Sequence, residues 1–126
     1  DSSKSLEVEP EKITFNAMDE ALLKRAVSIV EKNMDNIEFS TDEFAREMNM
    51  SRSNLHLKLK AITGESTIDF IRKIRFNEAA KLLKDGRYTV AEVSTMVGFN
   101  TPSYFATSFK KYFGYLPTEY IKRTKG

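Results

Sequence analysis

The sequence predicts an all-α fold of seven helices, in which two units of similar plan flank one long central helix. Three observations predict it. No run alternates apolar and polar residues with the β-branched content of a strand. Apolar residues recur instead at helical spacing, bounded by capping residues and glycines. One ordered set of side chains also occurs twice, starting at Ser40 and again at Thr89.

The elements follow in order. Residues 1–16 are polar and acidic with Pro10, and read as a linker from an upstream domain, with a short ordered piece at 13–15. A folded domain is expected over 17–126. Its first helix is expected over 19–34, with Asp19 as cap and a stripe of Ala21, Leu22, Ala26, Ile29 and Val30. The second starts at Ser40, where Ser40-Thr41-Asp42-Glu43 has the pattern of a reciprocal capping box, and ends near Met48-Asn49. The third covers 51–62 and is closed by Gly64. The fourth covers 66–84 and is closed by Asp85-Gly86. The fifth opens on Thr89-Val90-Ala91-Glu92, a second capping box, and ends at Val97-Gly98. The sixth opens on Thr101-Pro102, a cap followed by a proline whose missing N–H costs nothing in a first turn, and stops at Phe113-Gly114. The seventh begins near Pro117 and fades into the basic tail Lys122-Arg123-Thr124-Lys125.

In the repeat, Ser40 and Glu43 correspond to Thr89 and Glu92. Ala45, Asn49 and Met50 correspond to Ser94, Gly98 and Phe99. With one extra residue in the second copy, Leu55, Leu59, Lys60 and Gly64 correspond to Phe105, Phe109, Lys110 and Gly114. The pattern has a physical meaning. A small residue lets two helices approach closely. Asn or Gly tolerates the left-handed backbone of a sharp turn. A large apolar residue then plugs the corner, and a polar cap starts the next helix. That is a helix-turn-helix, expected at about 40–63 and again at about 89–113. The central helix, at about 1.5 Å per residue, spans roughly 28 Å, close to the roughly 34 Å of one DNA turn. Its Ile68, Ile71, Ile74, Ala79, Leu82 and Leu83 are expected to pack against both units. Arg72, Lys73 and Arg75 leave it basic, with Arg72 and Lys73 read as ordinary surface.

The second helix of each unit carries the candidate contacts. Leu55, Leu59 and Ile62 face inward in one, and Phe105, Phe109, Tyr112 and Phe113 in the other. The opposite edges show Ser53, His56, Leu57 and Lys60, and Ser103, Ala106, Thr107 and Lys110. Polar groups near a helix N-terminus can bond base edges, and the amides there can hold phosphate. Arg52, Lys58, Lys60, Lys110 and Lys111 are expected to grip phosphates. Charge is divided to match. Residues 1–50 hold 6 Lys/Arg and 12 Asp/Glu, whereas residues 51–126 hold 14 and 6. A basic block on an otherwise acidic chain suits a polyanion. Phe99, Tyr104, Phe105, Phe109, Tyr112 and Phe113 are read as core rather than as a base-stacking platform.

Other function classes find little support. The one histidine, His56, has no spaced partner for a metal, and the chain has no cysteine. No glycine-rich phosphate loop is present, no cofactor is implied, and nothing points to catalysis. No segment reaches a membrane span and no signal-peptide pattern opens the chain, so a cytoplasmic protein is expected. The start at Asp1-Ser2-Ser3 reads as a piece of something longer. The competing reading is a helical protein–protein adaptor.

Several stretches carry a family resemblance. They are Met50-Ser51-Arg52-Ser53-Asn54-Leu55, Ile62-Thr63-Gly64, and residues 71–83. The most telling are Val90-Ala91-Glu92-Val93, Val97-Gly98-Phe99, Ser103-Tyr104-Phe105, Phe109-Lys110-Lys111-Tyr112-Phe113-Gly114 and Pro117. Across about 19–123 the chain resembles the arabinose-regulator (AraC/XylS) family of transcription factors. The resemblance implies a domain that binds double-stranded DNA through two recognition helices in successive major grooves, and that activates transcription through RNA polymerase. The family's base-reading positions fall on Ser53, His56 and Leu57, and on Pro102, Ser103 and Thr107. Asn54, Thr101 and Tyr104 lie beside them and complete the expected contact set. Leu57 and Thr107 stand where many members have arginine. The acidic lead-in and Ile29-Val30-Glu31-Lys32-Asn33 also resemble the output end of hybrid two-component sensor-regulators. That resemblance implies an upstream receiver or sensor domain and dimerisation through that region.

Overall fold

The computed structural model describes residues 16–125, so the expected linker and its short ordered piece at 13–15 lie outside the described residues apart from Asn16. Seven helices and no strand occur among them: α1 Ala17–Lys32, α2 Thr41–Glu47, α3 Arg52–Thr63, α4 Thr67–Asp85, α5 Val90–Met96, α6 Pro102–Phe113 and α7 Pro117–Lys125.

The helix ends follow from side-chain chemistry, with two departures from expectation. Asp19 is not the cap of α1. Asn16 is, and its side chain accepts the Asp19 N–H at 2.9 Å. Ala17 and Met18 are good helix formers, so the helix extends back to the earlier polar residue. Glu43 does not complete a capping box. Ser40 accepts the Glu43 N–H at 3.2 Å, but the Glu43 carboxylate pairs with Arg46 one turn on. The second copy is reciprocal: the Thr89 N–H donates to Glu92 at 2.8 Å and the Glu92 N–H to Thr89 at 3.0 Å.

Both tight turns are built alike. Asn49 has φ 59° and Gly98 φ 82°. The Met50 N–H donates to the Ala45 carbonyl at 3.0 Å, and the Phe99 N–H to the Ser94 carbonyl at 2.9 Å. Each reaches back five residues, which closes α2 and α5 in the Schellman manner and aims α3 and α6. Ala45 and Ser94 are buried at the crossing, as the repeat requires. Ser94 Oγ has no hydrogen-bond partner there. Ser94→Ala is therefore expected to raise stability by about 1 kcal/mol, because it removes an unsatisfied buried hydroxyl. The check is a higher urea midpoint at unchanged slope, and a lower midpoint would show that the hydroxyl is bonded.

Two cores flank α4. In the first, Phe44 and Phe70 pack with Ala26, Ile29, Val30, Leu55 and Leu59. In the second, Phe76, Ala79 and Leu83 pack with Val93, Val97, Phe105 and Phe109. Phe70 and Phe76 are six residues apart, which places them about 120° apart around a helix of 3.6 residues per turn. One helix thus serves both units from different flanks. Ile68, expected in this packing, is 51% exposed. Phe70 and Phe76 occupy the packing faces instead. Tyr104 and Tyr112, read from the sequence as core, are 53% and 44% exposed. Tyr112 still stacks on Phe76 at 4.9 Å between ring centres.

Arg75 is not part of a basic surface. It is buried, with Nη2 donating to the carbonyls of Asn33 at 3.3 Å and Asn36 at 2.9 Å, and Nη1 to that of Gly98 at 3.5 Å. Burial pushes its pKa down and nearby Asp35 opposes this, but an arginine so placed remains a cation.

Candidate nucleic-acid interface

The exposed edge of α3 is set by its inward pair. Leu55 and Leu59, one turn apart, are fully buried, so Ser53, His56, Leu57 and Lys60 must face out, and they do. Phe105 and Phe109 fix α6 in the same way and leave Ser103, Thr107 and Lys110 exposed. Arg52, Asn54, Lys58, Thr101, Pro102, Tyr104 and Lys111 are exposed as well.

Each helix opens on a hydroxyl cap. Ser51 accepts the Asn54 N–H at 3.1 Å, and Thr101 accepts the Tyr104 N–H at 3.2 Å. The caps leave the first amides of each helix for an outside acceptor. On α3 these are the amides of Arg52 and Ser53. On α6 only Ser103 contributes, since Pro102 has no N–H.

Three separate concavities border these helices. One beside α3 is lined by Arg52, His56, Leu57 and Ile68. One over α4 is lined by Ile68, Arg72, Phe99, Asn100 and Tyr104. One beside α6 is lined by Glu65, Asp69, Arg72, Tyr104, Thr107 and Lys111. Ile68 borders the first two, and Arg72 and Tyr104 border the last two. Tyr104 leans on Phe99, with ring centres 5.7 Å apart, and stays largely exposed. Sequence reading missed Ile68 and Arg72 as part of this surface. Ile68 fits an apolar stripe, and no local pattern distinguishes an arginine that lines a concavity from any other.

The cations differ in their surroundings. Arg52 Nε lies 3.3 Å from Asp42 Oδ1, and Lys58 Nζ lies 3.6 Å from Asp19 Oδ1. Lys60, Lys110 and Lys111 have no carboxylate within ion-pair distance among the described residues. Thr107 donates its hydroxyl back to the Ser103 carbonyl at 3.0 Å. Among the described residues no group of His, Asp and Glu could hold a metal ion, and no helix is long and apolar enough to cross a membrane.

Known proteins resemble this chain in sequence and fold. A family model described as a helix-turn-helix domain matches residues 44–123. "Histidine kinase P4" of Formosa agariphila is 39% identical over 96% of the chain, which spans 9% of that protein. An HTH-type transcriptional regulator in the cgkA 5′ region of Pseudoalteromonas carrageenovora is 34% identical over 98% of the chain, which spans 70% of that protein. The crystal structure of a transcriptional regulator from Chromobacterium violaceum, described as having an AraC-type DNA-binding domain, superposes with a TM-score of 0.76 at 26% identity, covering 86% of this chain and 96% of that one. With that model matched over most of the sequence and the seven-helix arrangement shared, the chain belongs to the AraC-type helix-turn-helix family.

Proposed function

We propose that this chain is the DNA-binding module of a transcription regulator and that it reads two short boxes in successive major grooves of a duplex. The observation that supports the reading is the matched seating of α3 and α6, in which the buried pairs Leu55/Leu59 and Phe105/Phe109 leave polar and basic edges exposed on both helices. At about 1.5 Å per residue the 19 residues of α4 span roughly 28 Å, near the repeat of one duplex turn. Ser53, Asn54, His56 and Leu57 would meet one box. Thr101, Pro102, Ser103, Tyr104 and Thr107 would meet the other. Arg52, Lys58, Lys60, Lys110 and Lys111 would grip the backbone.

The wider setting is part of the same proposal. Residues 1–16 serve as a linker, and 17–126 form the domain that acts on DNA, without catalysis of its own. A chain that spans 9% of a relative named as a histidine kinase suits an output domain below sensor and receiver domains, which would supply dimerisation. Contact with RNA polymerase in the cytoplasm completes the reading.

The test is to incubate the domain with a random duplex library and sequence what it retains. Two enriched boxes about one helical turn apart support the proposal. No enrichment at either low or physiological salt overturns it for the isolated domain and favours an adaptor role.

Affinity should be modest. Leu57 is 64% exposed on the reading edge, and Thr107 has committed its proton to Ser103. Neither supplies the bidentate donor that suits guanine. Leu57→Arg is expected to tighten binding to a guanine-bearing first box by about tenfold, within the usual worth of such a contact. Titrations by fluorescence anisotropy check this. A nanomolar complex of the unaltered monomer at physiological salt would count against it.

A further inference from the structure

The two units share α4, and they also touch directly where Gly98 meets the chain after α1. A Cβ at Gly98 would lie 2.6 Å from the Met34 carbonyl oxygen. The turn of the second unit therefore rests on the chain leaving α1, in the first unit. Arg75 spans this junction from below. One nitrogen of its guanidinium holds two carbonyls of the α1–α2 connection, those of Asn33 and Asn36, and the other reaches the carbonyl of Gly98.

The bonded groups lie at informative positions. Asn36 is four residues before Ser40, the cap of α2, and α2 leads through the Asn49 turn into α3. Gly98 lies inside the other turn, three residues before Thr101, the cap of α6. One planar guanidinium thus bonds the segments that aim both recognition helices. An apolar side chain could fill this space, but it would impose no direction. Two bonds fix the planar fork on the α1–α2 connection, and its third, at 3.5 Å, ties that orientation to Gly98. The arrangement is also a costly way merely to fill space, because it takes a cation out of water and leaves Arg75 Nε without a partner.

We propose that Arg75 is a positioning residue that fixes how α3 and α6 sit relative to each other, and so sets how many base pairs the domain accepts between its two boxes. The inference rests on the DNA-binding reading above. Adding one base pair between boxes turns the second by about 34° and moves it about 3.4 Å, which a rigid pair of helices cannot follow.

The experiment uses duplexes carrying the two boxes the domain itself selects, with the spacing changed one base pair at a time. Each box is also tested alone. The unaltered protein is expected to bind one spacing at least about tenfold better than its neighbours, the scale set by one mismatched base pair. Arg75→Met is expected to flatten that profile to within about threefold while leaving single-box binding unchanged. Arg75→Lys keeps the charge without the fork and should fall between them. It also carries the test if the methionine variant fails to fold, as judged by circular dichroism at the binding temperature. An unchanged profile in a folded variant overturns the proposal, as does an equal loss at every spacing, which would mark Arg75 as serving stability alone. An unaltered domain that binds two boxes with no preferred spacing overturns it too. If that protein binds no duplex at all, the DNA-binding reading is the one that fails, and this inference goes with it.

Discussion

Gly98→Ala is expected to cost about 2–5 kcal/mol and to leave little folded protein at moderate urea concentrations. Two effects combine. The residue has φ 82°, which costs an L-residue about 1–2 kcal/mol. The added methyl would also lie 2.6 Å from the Met34 carbonyl oxygen and 2.8 Å from the Arg75 guanidinium carbon. The first is backbone and cannot swing away, and the second is held by its own hydrogen bonds. Overpacking of this kind costs a further 1–3 kcal/mol or so. Gly114→Ala provides the comparison. Gly114 has φ 95°, but nothing lies within 4 Å of its Cβ position, so only the backbone cost of about 1–2 kcal/mol applies. Urea unfolding followed by circular dichroism measures both. Equal destabilisation at the two glycines would mean that the close approach between units at Met34 contributes nothing.

Reversing charge at Lys60 and Lys110 together is expected to weaken duplex binding by about a hundredfold or more at physiological salt and to leave the fold intact. Both side chains are exposed, they occupy matching places in the repeat, and they have no carboxylate partner among the described residues. Each phosphate left without its cation takes about 0.9 off the slope of log affinity against log salt, so Lys60→Glu with Lys110→Glu should lower the slope by nearly two. The new carboxylates add repulsion on top. Lys81→Glu with Lys84→Glu is the matched control, because these lysines line a separate concavity at the far end of α4. Affinity measured across a salt series separates the cases. A similar weakening in both double variants would mean that binding follows net charge rather than the proposed surface.

Most of the architecture is written in local chemistry, which is why it could be read in advance. The caps Ser40, Ser51, Ser66, Thr89 and Thr101 all act as caps. Asn49 and Gly98 take the left-handed turns that the repeat demands. These features depend on neighbours a few residues away. The misreadings came where distant segments decide. Arg75 looks like any charged residue on a helix until the loop after α1 and the turn after α5 close over it. Ile68 looks like core until Phe70 and Phe76 take the packing faces. Glu43 matches a capping pattern, but Arg46 lies nearer to hand. At the interface, the outward edges of α3 and α6 followed from their buried pairs. The carboxylates beside Arg52 and Lys58 come from other helices, and no spacing within α3 foretells them.

Those carboxylates make the basic residues unequal. Lys60, Lys110 and Lys111 have no carboxylate to leave among the described residues. Arg52 and Lys58 would come to a phosphate from Asp42 and Asp19, each fixed in the protein. For these two, meeting DNA is an exchange of one anion for another, so each adds less net attraction than its formal charge suggests. The exchange also runs in reverse. Whatever draws Lys58 toward the duplex loosens its hold on α1, and whatever firms α1 around Asp19 holds Lys58 back. On the proposed reading, α1 and the duplex would both have a claim on the one ammonium group of Lys58.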